Sequence, residues 1–213
     1  MAATSRADVP IRQLTEGYRA ADDVQRRLVA AGLACIARWG VAKTSLDDIA
    51  REAGVSRATV YRAVPGGKDR LLALVVDHEA GRFFHELDAE LATARDLPDL
   101  LARAVVTTLA AVADHPALQT MVELEPELVL PHLAFHRLDR VLAVGTELLR
   151  PHLARYLPAE AIPATAEWVT RIVVTYVIHP TPSLDAHDPE SIHRLVRTFL
   201  APALDPTRQE EQP

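Results

Sequence analysis

Apolar positions recur at helical spacing along most of the chain, and the sharpest short case lies near residue 50. Leu46, Ile49 and Ala50 share one face that Ala53 closes, so residues 45–53 are predicted to form a short amphipathic helix. Ser45 is placed to cap it. Asp47 and Asp48 stand in its first turn, where the positive end of the helix dipole favours carboxylates. Gly54 then tolerates a left-handed turn, and Val55 drops back toward the core. Ser56 caps a second short helix over 57–63, with Ala58 and Val60 facing their own core or a thymine methyl, and Pro65-Gly66-Gly67 ends it. Two short helices across a tight glycine turn, the second carrying Ser56, Arg57, Thr59, Tyr61 and Arg62, describe a helix-turn-helix. Thr44, Ser45 and Lys68 fall at helix N-termini, positions suited to phosphate.

The flanking pattern is helical as well. Residues 1–20 are polar and irregular, and are predicted to be a flexible arm whose Arg6, Arg12 and Arg19 reach phosphates or are simply disordered. Asp22-Asp23 opens a helix to about Trp39, with Val24, Leu28, Ala31, Leu33, Cys35 and Ile36 as its apolar stripe and Gly40 as its stop. With the two short helices it makes a three-helix domain over 21–67. A helical pattern runs from 68 to about 94, and prolines then punctuate helical runs at about 98–114, 116–125, 132–156, 160–179 and 189–201. No strand-like alternation interrupts them, so the prediction is all-α, with a larger helical domain over 68–205 and a disordered tail over 206–213.

Charge changes the picture more than composition does. Hydrophobic residues at 49% and charged residues at 24% are ordinary for a globular chain. The start lacks a signal pattern and no apolar run approaches the roughly 20 residues of a membrane helix, so a cytoplasmic protein without a membrane partner is expected. The net charge of −6 at first argues against nucleic acid. Its distribution argues the other way: residues 1–70 hold 12 Lys and Arg against 8 Asp and Glu, and the remainder holds 11 against 21. A basic first third fits DNA contact at one end only. Cys35, the one cysteine, excludes an internal disulfide and reads as a small buried hydrophobe.

The helix-turn-helix also carries a family resemblance. Thr44-Ser-Leu-x-x-Ile-Ala, then Ala-Gly-Val-Ser-Arg-x-Thr-Val-Tyr-Arg, then Gly-Lys-Asp-x-Leu-Leu resembles the TetR family of bacterial transcriptional repressors over residues 21–75, about a quarter of the chain. Val64 departs from the family pattern, which usually has an aromatic residue there. The resemblance implies a homodimeric repressor bound to a palindromic operator on double-stranded DNA and released by a small-molecule effector.

Other chemistry finds little support. His132 and His136 stand four apart, but zinc needs three or four ligands and no companions lie at metal spacing; His78 and His85 read as surface residues. No nucleophile elbow, phosphate loop or catalytic triad pattern appears, so neither an enzyme nor a cofactor is expected. A helical enzyme, a structural bundle, an activator or a ligand-independent regulator are the alternatives. Polar groups interrupt the apolar runs near 100–113 and 168–178, either as satisfied core residues or as ligand-orienting groups. The resemblance favours a pocket: Leu109, Met121, Leu124, Phe135, Val144, Trp168 and Tyr176 would line it for an apolar or amphipathic, fatty-acid-like compound. Thr108, His132, His136, Arg171 and Thr175 would orient the polar end. Dimerisation is expected through Val169, Ile172, Val173 and Val177 on one late helix and Ile192, Leu195, Val196, Phe199 and Leu200 on the next.

Overall fold

The computed structural model describes residues 10–127, 138–179, 181 and 188–200, and those residues are mostly helical. In chain order the helices are α1 (Ile11–Ala20), α2 (Asp23–Lys43), α3 (Leu46–Glu52), α4 (Arg57–Ala63), α5 (Gly67–Ala92), α6 (Leu97–Ala113) and α7 (Pro116–Leu124). They continue with α8 (Leu138–Leu153), α9 (Ile162–Ile178) and α10 (Pro189–Leu195), which passes into a π-helical turn, Val196–Leu200. The chain divides into two compact units. The first holds the residues up to 85 and the segment beginning at His115; the second holds 86–114 and the described residues from 138 onward.

The predicted boundary at 67/68 therefore moves. It falls within α5 after His85, because α5 supplies Leu71 to the first core with Leu74 packed against it, and α7 packs on α2. Thr120 ties α7 down by donating from Oγ1 to the Ala37 carbonyl at 2.8 Å. The first ten residues of the described chain also differ from a flexible arm. α1 is a regular helix whose Ile11 is buried and whose Tyr18 meets the His78 ring edge-on at 5.0 Å. Arg19 bonds His85 Nδ1 at 3.0 Å and Arg12 pairs with Glu16, so two of the three arginines assigned to phosphate already have partners. Arg6 and the 206–213 tail lie outside the described residues.

The first core joins α2, α3, α4 and α5 through Leu28, Ala31, Cys35, Ile49, Val60 and Leu71. Val64, which departs from the pattern of the resemblance, belongs to it and is buried. Cys35 is fully buried, and burial pushes its thiol pKa up, as expected of an inert core residue.

In the second unit α6 is central, with Leu100, Leu101, Ala102 and Val105 fully buried and α9 and α10 packed on it. α8 and α9 cross closely at Gly145, where any side chain would run into the Thr170 hydroxyl. Only glycine fits that approach. Arg155 and Tyr156 close the end of α5: the guanidinium donates to the carbonyls of Leu91, Ala92 and Ala94, and the phenol to Ala94 at 2.8 Å. A cation there suits the negative end of the helix dipole.

Candidate nucleic-acid interface

Local capping builds the motif. Ser45 and Asp48 form a reciprocal box at the start of α3, each side chain taking the other's backbone N–H at 3.2 Å. The turn that follows has Gly54 at φ 64, and Arg27 reaches over from α2 to donate to the carbonyls of Ala53 (2.6 Å) and Gly54 (3.1 Å). Ser56 caps α4 by accepting the Thr59 N–H at 3.1 Å. On α4, Val60 points into the core, while Ser56, Arg57, Ala58, Tyr61 and Arg62 are exposed and Thr59 is half-buried. Of the two apolar positions read as core-facing or methyl-reading, Val60 is thus core and Ala58 is free to meet a base.

The exposed row is held by its neighbours on α3. Arg57 pairs with Asp47 at 3.2 Å and lies 5.7 Å from the centre of the Tyr61 ring. Arg62 donates to the Thr59 hydroxyl at 3.4 Å. Arg38 of α2 grips Glu52 through two parallel bonds of 2.8 and 2.9 Å, fixing the end of α3. This places a planar cation, an aromatic ring and a second arginine on one solvent-facing edge, the side-chain set that reads guanine edges and phosphates in a major groove.

Two predicted contacts have other partners. Thr44 is buried at 1% exposure and its hydroxyl donates to the Gly40 carbonyl at 2.7 Å, so it cannot reach a phosphate. Lys68 donates from Nζ to the carbonyls of Val41 (2.7 Å) and Ala42 (3.2 Å). A lysine in the first turn of a helix opposes the dipole, and that mismatch was the sequence signal that its partner lay elsewhere. Ser45 remains exposed. Arg27 and Glu125, which bond the backbone on either side of α3 in the chain, were missed; Glu125 stands 84 residues from the Val41 N–H it accepts, beyond any local pattern.

The predicted ligand residues scatter. Met121 and Leu124 belong to the first unit, and Thr108, Leu109, Val144, Trp168, Arg171, Thr175 and Tyr176 to the second. Leu109 is buried and Val144 and Tyr176 half-buried, whereas Trp168 and Leu124 are exposed. Thr108 and Thr175 donate their hydroxyls to the carbonyls of Ala104 and Arg171 one turn back, and Arg171 pairs with Glu167 at 2.8 Å. Those polar groups are satisfied within their own helices. His132, Phe135 and His136 lie outside the described residues. His78, read as a surface residue, is instead half-buried beside Glu79 and Tyr18, and its buried ring nitrogens make no hydrogen bond. Among the described residues no group of three His, Cys, Asp or Glu could hold a metal ion, and no helix is long and apolar enough to cross a membrane.

Of the predicted dimer residues, Val169, Ile192 and Val196 are buried inside their own chain; Ile172, Val173, Val177 and Leu195 are half-buried; Phe199 is 69% exposed. The side chain of Leu200 is outside the described set.

The sequence model for bacterial regulatory proteins of the tetR family matches residues 28–75, the segment from α2 into α5. Over that segment, less than a quarter of the chain, the sequence is similar to the tetR family. An uncharacterised helix-turn-helix-type transcriptional regulator of Mycobacterium tuberculosis is 38% identical over 58 residues, 27% of this chain and 31% of that protein. The chain thus matches about a third of that relative's length. Solved TetR-like structures share the fold more widely. The fatty acid degradation regulator FadR from Bacillus halodurans aligns at a TM-score of 0.56 and 20% identity, covering 85% of this chain and 98% of its own. FadR from Bacillus subtilis in complex with stearoyl-CoA aligns at 0.52 and 16%, covering 80% and 96%.

Proposed function

We propose that the chain is a sequence-specific DNA-binding transcriptional regulator, acting as a homodimeric repressor on a palindromic operator and released by a small apolar or amphipathic ligand. The observation that carries this reading is the α4 edge: Arg57, Tyr61 and Arg62 face solvent while Val60 anchors the same helix in the core. A seven-residue helix touches few base pairs, so two copies related by a two-fold axis are needed for an operator of useful length. Exposed Trp168 and Phe199 support pairing through α9 and the turn Val196–Leu200. Val169, Ile192 and Val196 serve that surface from beneath, as core. The stearoyl-CoA complex of a protein with this fold supports a long-chain acyl effector class.

Selection of duplexes from a random-sequence pool tests the proposal. Wild-type protein enriches an inverted repeat, protects two half-sites about one helical turn apart, and binds with log affinity falling linearly in log salt. Sedimentation shows a dimer with and without that duplex. Equal affinity for every duplex, or a monomer on DNA, would overturn the reading.

A further inference from the structure

Glu125 closes α7, well outside the helix-turn-helix, yet it holds the turn from which that motif starts. Its carboxylate, 8% exposed, accepts the backbone N–H of Val41 at 2.7 Å and of Ala42 at 2.6 Å. These N–H groups begin the single helical turn that follows the break in α2 at Gly40 (φ 78, ψ 172), the place in a helix where N–H groups need an acceptor from outside it. From α5, Lys68 Nζ takes the carbonyls of the same two residues. Two successive residues are therefore gripped at their N–H groups by an anion and at their C=O groups by a cation, and the peptide unit between them is held at both ends. Gly40 leaves the room for this: a Cβ there would come within 3.1 Å of Glu125 Oε2. Thr44 seals the turn by donating to the Gly40 carbonyl, and the next residue, Ser45, is the cap of α3.

We infer that Glu125 is a positioning residue for DNA recognition. Through Val41 and Ala42 it sets where α3 begins, and α3 and the Gly54 turn set how α4 meets the groove. The inference rests on the DNA-binding reading above. Carboxylate is the group suited to the task, since two oxygens accept two adjacent N–H groups at a helix start; an amide accepts one and turns its own N–H2 against the other. The clamp residues contribute no phosphate contact, so loosening the clamp should disturb the fit to one sequence and leave the salt-driven attraction to any duplex in place.

The test uses the full chain, the duplex it selects from a random pool, and a scrambled duplex of equal length. Glu125→Gln should weaken binding to the selected duplex about tenfold, the loss expected when a buried N–H group is left without its acceptor. Affinity for the scrambled duplex should stay within about twofold and the salt slope should not change. In the free protein the amides of Val41 and Ala42 should exchange faster, and those of the α4 core should not. Lys68→Met, which removes the cation from the carbonyls of the same two residues, should give the same signature, and the double variant should lose less than the two single losses combined. A lower melting temperature with unchanged affinity for the selected duplex would overturn the inference, as would equal losses on both duplexes or unchanged exchange at Val41 and Ala42. Wild-type protein that selects no sequence at all would instead refute the DNA-binding reading, and the inference with it.

Discussion

Arg57 shows how much a single side chain on this surface is shaped by its neighbours. Its guanidinium lies between the Asp47 carboxylate and the Tyr61 ring, and the Tyr61 hydroxyl first, then the Asp47 charge, raise its pKa from the ordinary value. The pair is largely exposed, so Asp47 restrains the arginine weakly and water or DNA can replace it. Arg57→Ala should cost about 1–3 kcal/mol on the selected duplex and relax preference at one base pair, because a bidentate guanine contact discriminates by that much. Asp47→Asn should act in the opposite direction, tightening binding to selected and scrambled duplexes alike by removing a negative charge beside the edge proposed to meet DNA. Titrations of both variants at two salt concentrations check this. Identical base preference in Arg57→Ala and wild type would remove Arg57 from the readout.

Helix α6 depends on a buried acid at its start. Asp99 is 4% exposed, and burial alone would raise its pKa. The Arg95 N–H, the Arg95 guanidinium at 3.2 Å and the Arg103 guanidinium at 3.2 Å outweigh that, holding it at about 2 against an ordinary 3.8. Arg103 continues to Glu90 and Thr93 near the end of α5, so the acid also joins two helices. The folded pKa is depressed, so the stabilisation is complete above about pH 4 and is lost as pH falls toward 2. It amounts to about 2 kcal/mol. Asp99→Asn should therefore lower the melting temperature at pH 7, and the gap to wild type should narrow steadily between pH 4 and pH 2. A gap independent of pH would mean that packing, and not the charge, holds this corner. Glu79 on α5 is held near 2 in the same way, burial being outweighed by His115 and Arg82.

For the whole molecule the decisive question is whether occupancy of one function changes the other. On the function proposed above, DNA meets the basic first 70 residues and an effector is taken up in the second unit, so the effector acts on DNA only through the protein. An effector shifts the balance only by its differential affinity for the DNA-competent state, with coupling of about 1–3 kcal/mol typical. With stearoyl-CoA as the probe, calorimetry should show binding weakened about 5- to 150-fold by saturating operator, and operator binding weakened by the same factor in return. Equal affinities with and without operator would rule out release by this acyl class.

The all-α class and the helix-turn-helix were legible from the chain alone, because they are local. Period, caps and breakers act within a few residues: Ser45 and Ser56 cap where their hydroxyls predict, Gly54 turns, and helix 57–63 ends where Pro65 forbids its continuation. The outward row of α4 follows from the same period. What the tertiary structure decided are the contacts between residues far apart in sequence. Nothing near residue 125 marks it as the acceptor for Val41, nothing near residue 68 names Val41 and Ala42 as its partners, and α1 is ordered by contacts with α5 some 60 residues away. The same holds for the apolar face of the late helices. Helical period separates an inner from an outer stripe, but whether Val169 and Ile192 meet their own chain or another depends on which helices pack against them, and here α6 does.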